Sequence, residues 1–163
     1  MGKNFLYKTF YIKRLILLFF FIICGCEDNI TDSDDRMIIP DDSYRYFRVT
    51  YPTIDNKTPY FIVRASDSLL LELIENELSK PWGQRFKHIN GTIVRGNGDY
   101  NYDWSWRFED NTWTIVEISI ELCDGNPFYI EENLDYYINT INGNYCPWSS
   151  QIDREMYPGE IIE

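Results

Sequence analysis

The chain of 163 residues carries 26 acidic and 15 basic residues, which gives a net charge of −11 at pH 7. This length accommodates one folded domain. The charge excludes DNA and RNA as expected partners, because their phosphates would repel the protein.

The first 25 residues have the pattern of a bacterial export signal. Four basic residues precede an apolar run, LILLFFFII at residues 15–23, which is too short to span a bilayer comfortably. The following Ile23-Cys24-Gly25-Cys26 resembles a lipobox. We therefore predict that residues 1–25 are a lipoprotein signal peptide and that Cys26 is the lipidated residue, acylated for example with palmitate. An uncleaved transmembrane anchor is the alternative.

A chain that begins at Cys26 keeps 11 basic and all 26 acidic residues, so its net charge is −15. Such a charge disfavours contact with an anionic membrane surface, and a lipid tether is expected to hold the protein there. Residues 26–43 are acidic and polar, which predicts a flexible stalk. Acids directly after Cys26 resemble the surface-export signal of some Gram-negative lipoproteins. The expected location is therefore the bacterial cell envelope, at the outer membrane or the cell surface.

Two cysteines follow the stalk, Cys123 and Cys146. An even pair in an exported chain predicts a disulfide, which would stabilise the fold by about 3 kcal/mol on the loop-entropy estimate. A metal site is the alternative, but the chain has no CxxC motif and a single histidine, His88. We therefore predict no metal and no other cofactor.

The first half of the domain combines strands with one helix. Residues 44–51 and 60–65 have strand propensity. Residues 68–79 follow a capping sequence, Ser66-Asp67, and carry an apolar stripe, so they predict a helix. Three of its acidic residues are expected mostly on the solvent side: Glu72, Glu75 and Glu77.

The middle of the chain contains three strand patterns. Residues 88–95 form the first, and Gly91 marks a point where another backbone segment can approach closely. Residues 104–108 form the second, and a turn after them predicts a hairpin with the third. The third, TWTIVEISIELCD at residues 112–124, is the longest. Its alternation predicts that one set of apolar residues lies in the core: Val116, Ile118, Ile120 and Leu122.

A second helix of about 14 residues is expected to begin at Asn126 and Pro127 and to end near Ile141. The acidic residues after Ser150 predict a frayed tail, and residues 158–163 lie outside the domain. The elements predict one α+β domain over residues 44–157. Its sheet would be mostly antiparallel with four to five strands and two helices, in the order β-α-β-β-β-α.

Several segments taken together resemble one secreted domain family. They are HxxGTIV at residues 88–94, YNxxWS at 100–105, IExCD at 120–124 and CPWSS at 146–150. In this order they resemble the N-terminal domain of the calmodulin-binding protein BP-seventy-four, whose secreted bacterial relatives are often labelled calmodulin-binding protein. The resemblance implies no settled enzymatic activity. An exported bacterial lipoprotein also has no obvious access to calmodulin.

Six polar residues form a candidate site because their strands and loops are expected to be neighbours: His88, Tyr100, Ser105, Arg107, Glu117 and Glu121. Glu121 lies between apolar residues, so we expect it to be partly buried and to bond one of His88, Tyr100, Ser105 or Arg107. Hydrolysis by His88 with Glu121 is one hypothesis, and a structural histidine is the other. A carboxylate pair with Glu117 is disfavoured, because four residues of strand place the α-carbons about 13 Å apart.

Aromatic residues make up 17% of the chain and have two interpretations. They can form a surface for sugars or proteins, or they can fill the core, which we favour. The residues in question are Tyr100, Tyr102, Trp104 and Trp106. We expect a lipid-anchored envelope protein whose non-catalytic domain binds a protein or a carbohydrate. A hydrolase and a purely structural envelope component are the alternatives.

Overall fold

The computed structural model describes residues 41–157 and Glu160. The predicted signal peptide, the lipidation site Cys26, the stalk up to residue 40 and nearly all of the tail after residue 157 lie outside the described residues. Within the part of the chain that is described, no helix has the length and apolar character needed to cross a membrane.

The described residues form two antiparallel sheets with short helices packed against them. In chain order the elements are β1 (Arg45–Thr50), β2 (Tyr60–Ala65), α1 (Ser68–Leu78), β3 (His88–Arg95), β4 (Trp106–Phe108), β5 (Thr114–Val116), α2 (Pro127–Glu132), α3 (Leu134–Thr140), β6 (Asn144–Tyr145) and β7 (Gln151–Met156). Single 3₁₀ turns lie at Trp82–Gln84 and Glu121–Cys123. The α+β class with antiparallel strands is confirmed. The single predicted sheet is in fact two, and the predicted order of elements is not matched.

The first sheet has the strand order β2-β1-β7, so β1 is its central strand. Strand β7 lies where a frayed tail was expected. Two of its acidic residues face arginines of β1: both carboxylate oxygens of Glu155 accept from Arg45 at 2.7 Å, and Asp153 accepts from Arg48 Nε at 2.7 Å. Because each acid has an arginine opposite it, the charged sequence forms a strand.

The second sheet is built on β3. This strand pairs with β4 at Ile93↔Phe108, with β5 at Ile89↔Ile115 and with β6 at Gly91↔Tyr145. The predicted hairpin between β4 and β5 is therefore wrong, since both strands pair with β3 instead. The expected close approach at Gly91 is present: a Cβ atom added there would lie 2.4 Å from Trp113 Cβ.

The long strand expected at residues 112–124 is only Thr114–Val116, and its register is inverted. The buried residues are Trp113 and Ile115. Three of the four residues expected in the core are exposed, Ile118 to 87%, Ile120 to 69% and Leu122 to 74%, and the fourth, Val116, is half-buried. The physical reason is that β5 ends opposite the first residue of β3, so no strand lies beyond it to cover the continuing chain.

The helices differ from their predictions in two respects. Helix α1 has its expected cap, since the Asp67 carboxylate accepts from Leu70 N at 2.8 Å. Glu77, however, is only 2% exposed rather than on the solvent side. The second predicted helix begins as expected, because Asn126 accepts from Tyr129 N at 3.0 Å. It is divided at Asn133, whose φ of −119° leaves the helical range, into α2 and α3.

The core is aromatic. Four buried rings contact one another with centroid separations between 5.4 and 6.3 Å: Phe61, Trp106, Phe108 and Tyr145. Tyr100 and Trp104 are also buried. These residues therefore fill the core, and the binding-surface interpretation does not hold for them.

The structure joins Cys123 to Cys146, with α-carbons 5.1 Å apart. Beside the bond, Cys146 N donates to the carbonyl oxygen of Cys123 at 2.8 Å. The disulfide thus fixes the chain that follows β5 to the chain that leads from β6 into β7.

Candidate functional site

The six polar residues expected to form one site are separated in the structure. Tyr100 is buried, and its hydroxyl donates to the carbonyl oxygen of Phe108 at 3.5 Å. Arg107 Nη1 donates to the carbonyl oxygens of Arg95 at 3.0 Å and Gly96 at 3.2 Å. Both side chains are therefore occupied in holding the turn after β3.

Ser105 and Glu121 are likewise apart from the others. The backbone N–H of Ser105 donates to the Glu131 carboxylate at 3.0 Å. Glu121 is exposed on its 3₁₀ turn, and its carboxylate forms no hydrogen bond or ion pair with any residue the structure describes. The prediction that Glu121 bonds His88, Tyr100, Ser105 or Arg107 is wrong, because β5 ends before the chain reaches it.

His88 belongs to a different polar cluster, at the start of β3. It is 5% exposed, and its Nε2 lies 2.7 Å from Ser119 Oγ. Asn90, two residues along the same strand face, donates to the same oxygen at 3.0 Å. Since Ser119 accepts from Asn90, its own hydrogen is available for the neutral His88 ring. The two bonds fix Ser119 against the end of the sheet.

The protonation of His88 follows from its burial. Burial lowers the pKa of His88 below its ordinary value of 6.5, and the negative charge of Asp124 opposes this effect. The ring is therefore neutral at pH 7. Its Nδ1 has no hydrogen-bond partner among the described residues, so the hydroxyl–imidazole pair lacks the orienting group of a catalytic triad.

A cleft of about 300 Å³ opens beside this cluster. It is lined by Phe86, His88, Glu117, Ile118, Ser119 and Trp148. The aromatic rings at its rim are accessible, since Phe86 is 59% and Trp148 is 39% exposed. The cleft therefore has a polar floor and an apolar, solvent-facing rim.

The rim continues into residues 117–123, which we call the exposed segment. It carries the three accessible aliphatic side chains, Ile118, Ile120 and Leu122. Within the described part of the chain, the N–H and C=O groups of residues 117–119 make no hydrogen bond. The segment is nevertheless held at two points, by the bonds to Ser119 and by the disulfide at Cys123. It is an apolar surface with a fixed backbone.

A second cleft, of about 360 Å³, lies beside the start of α2. A tight turn with positive φ at Asp55 (47°) and Asn56 (63°) forms one side. The lining combines aromatic and polar groups: Ile54, Asp55, Lys57, Asn126, Phe128, Tyr129 and Glu132. The Tyr129 ring is 48% exposed. We call this the Tyr129 cleft.

Sequence reasoning placed His88 and Asn90 on one strand face but missed their partner, Ser119. The residue was assigned to a polar strand face together with Glu117 and Glu121. A local signal existed, since His88 opens β3 and no residue beyond it can pair with the chain after Val116. Glu77 was missed because an acidic residue in an amphipathic helix normally faces solvent.

Within the described residues, no group of three or more histidine, cysteine, aspartate or glutamate side chains is arranged to hold a metal ion. No curated protein and no solved structure matches the chain. The family model of the BP-seventy-four N-terminal domain matches residues 43–159, which include every strand and helix of the described fold. The chain therefore belongs to the family of the BP-seventy-four N-terminal domain.

Proposed function

We propose that this protein is a lipid-anchored binding domain of the bacterial cell envelope, and that it contacts a protein ligand through the exposed segment, residues 117–123. One observation carries the binding role: Ile118, Ile120 and Leu122 are exposed to 87%, 69% and 74% on a backbone fixed at both ends. Contiguous accessible apolar surface of this kind is typical of interaction sites. The anchor is proposed from the lipobox-like sequence that ends at Cys26.

A protein ligand fits this surface better than a carbohydrate does. Aliphatic side chains offer burial but no ring on which a sugar can stack. The accessible rings of Phe86 and Trp148 beside them supply the aromatic anchors that concentrate binding energy in protein interfaces. Because Ser119 and Cys123 already fix the backbone, binding costs little conformational entropy.

Site-specific photo-crosslinking in native envelopes tests the proposal. A photoreactive residue at position 118 is expected to form a discrete crosslinked product that an additional Ile120→Glu change abolishes. Position 69 is the matched control, because Leu69 on α1 is 71% exposed and belongs to neither cleft. The same products from both positions, or no product from position 118, would contradict the proposal.

The Tyr129 cleft supports carbohydrate binding as a second candidate function. It places an accessible tyrosine ring beside the carboxylates of Asp55 and Glu132 and the amide of Asn126, a combination that can stack on a sugar and bond its hydroxyls. Titration of soluble oligosaccharides followed by nuclear magnetic resonance should then shift the signals of Tyr129, and Tyr129→Ala should remove binding. Shifts that persist in this variant would reject the cleft as the site.

The remaining alternatives make different predictions. A hydrolase that uses His88 with Glu121 has no support from the geometry, because Glu121 is exposed away from the polar cluster of His88 and Ser119. A purely structural envelope component would give no ligand-dependent signal at position 118 or in the Tyr129 cleft. The two experiments above therefore separate binding from a structural role.

A further inference from the structure

We propose that the exposed segment binds its partner as an added β-strand, and that the partner is an extended stretch of another protein in which apolar residues alternate with basic ones. This inference rests on the proposed function and deepens it, because it states the binding mode and the chemistry of the ligand.

The backbone of the segment is suited to strand addition. The pairing of β5 with β3 ends at His88↔Val116. The chain remains extended up to Ile120, which has φ −86° and ψ 150°. The peptide groups of residues 117–119 make no hydrogen bond within the described residues. Unpaired peptide groups on an extended segment are a template for pairing with another chain.

The side chains of the segment alternate between two environments. Ser119 is turned toward the sheet, where it bonds His88 and Asn90. Its neighbours Ile118 and Ile120 are exposed. An added strand would therefore satisfy the free peptide groups and cover the two isoleucines with the apolar residues on one face of its own alternation.

The charge around the segment selects a basic partner. Glu117 and Glu121 are exposed, and neither carboxylate has an ion-pair partner in the described part of the chain. The whole chain carries a net charge of −11. Pairing with a second copy would bring these glutamates close to acidic residues of like charge, which is unfavourable. Lysine or arginine in the partner would instead complement both carboxylates.

Peptide binding to the full-length protein in zwitterionic nanodiscs tests the inference, with empty nanodiscs as the blank. The probe is a peptide of about eleven residues in which valine and lysine alternate. One comparator has the same composition arranged in two blocks, and another alternates valine with glutamate. A third is the probe with N-methyl groups on the amides of its pairing edge, which removes backbone donors and retains every side chain.

The alternating valine–lysine peptide should bind about tenfold more tightly than each of the three comparators. The Ile118→Glu variant should lose this binding, whereas Leu69→Glu, which changes an equally accessible residue on α1, should retain it. The double change Glu117→Lys with Glu121→Lys should shift the preference toward the valine–glutamate peptide. Amide signals of residues 117–119 should become protected from hydrogen exchange in the complex.

Equal binding of the N-methylated peptide would overturn strand addition, and equal binding of the valine–glutamate peptide would overturn the selection for basic partners. Failure of every peptide to bind would overturn the inference as a whole. The wild-type protein alone decides the first two points, so an unfolded variant cannot obscure them. If crosslinking from position 118 succeeds while these peptides fail, the proposed function stands and only the binding mode and partner chemistry are wrong.

Discussion

Glu77 is a buried carboxylate that connects α1 to the loop before β3. Its Oε1 accepts from the backbone N–H groups of Phe86 at 3.0 Å and Lys87 at 3.3 Å, and its Oε2 accepts from Lys80 Nζ at 2.5 Å. Burial acts to raise the pKa of Glu77, but these bonds outweigh it and the pKa is lowered. Because Phe86 lies at the rim of the His88 cleft, Glu77 positions part of that rim from a distance.

We predict that Glu77→Gln lowers the free energy of unfolding by about 1–3 kcal/mol, because a neutral amide cannot accept from all three donors as a carboxylate does. Urea unfolding at neutral pH measures the change. Glu72→Gln is the control, since Glu72 is exposed on the same helix, and it should stay within about 0.5 kcal/mol of wild type. The difference between Glu77 and its glutamine variant should shrink as the pH falls below 4.5, where Glu77 in the unfolded chain takes up a proton.

Gly91 is required by packing. An added Cβ would lie 2.4 Å from Trp113 Cβ and 2.6 Å from its Cα, so the backbone of the neighbouring segment would have to move. We predict that Gly91→Ala costs about 2–3 kcal/mol of stability, the range of overpacked core substitutions. Gly83→Ala is the control, because nothing lies within 4 Å of its Cβ position. Thermal melting of the two variants should differ clearly, and similar melting temperatures would show that the sheet can yield at Gly91.

His88 makes stability depend on pH in a defined direction. Its pKa is lowered by burial in the folded state, so below its ordinary value of 6.5 the unfolded chain binds more protons than the folded one. Folding stability should therefore fall as the pH decreases from 6.5 toward the lowered pKa of the folded state. His88→Gln should show a smaller loss across this interval in urea titrations. An identical pH profile for the two proteins would mean that His88 is protonated without cost, despite the nearby groups Asp124 and Glu117.

At the scale of elements, sequence patterns predict what local interactions decide. Strand β2 is predicted to the residue, β3 likewise, and α1 to within one residue of its end, because caps and alternation define them. The exposed segment was misinterpreted because an Ile-x-Ile-x-Leu alternation has the same appearance whether a neighbouring strand covers it or not. Coverage depends on where β3 begins, which is a property of the tertiary fold. Strand β7 was missed since its arginine partners lie in β1, about a hundred residues earlier.

The candidate site was predictable to a similar extent. Cysteine count and export context were sufficient for the pair Cys123 and Cys146, and strand periodicity was sufficient to put His88 and Asn90 on one face. Ser119 could not be assigned, because its hydrogen bonds depend on how the chain leaves β5. Glu121 could not be assigned for the same reason, since its burial was inferred from a strand that ends at Val116.

The disulfide and the polar cluster should stabilise the exposed segment together. The half-cystines are 23 residues apart in sequence, so the chain-entropy estimate for the bond is about 3 kcal/mol. We predict that the double variant Cys123→Ser, Cys146→Ser loses stability of this order. Amide hydrogen exchange should accelerate in residues 117–123 more than in β1, whose strand pairing does not involve the bond. Uniform acceleration in both regions would mean that the disulfide supports the whole fold rather than this segment.

At the scale of the whole molecule, the distribution of charge bears on the anchor. Eleven basic residues against 26 acidic ones remain after Gly25, so the domain itself should be repelled by anionic lipid. The described residues contain no helix that could span a membrane. Stable attachment would then depend on acyl chains, and more than one chain or a second signal is needed to hold a protein firmly on a bilayer.

We therefore predict that Cys26→Ser abolishes membrane attachment. The variant should appear in the soluble extract or persist as an uncleaved precursor, while wild type resists a high-salt wash because acyl insertion is not screened by salt. Cys24→Ser is the matched control, since it removes the other cysteine of Cys24-Gly25-Cys26 and should leave attachment and metabolic labelling by a palmitate analogue unchanged. A Cys26→Ser protein that is processed and fractionates like wild type would show that something other than this cysteine holds the domain at the envelope.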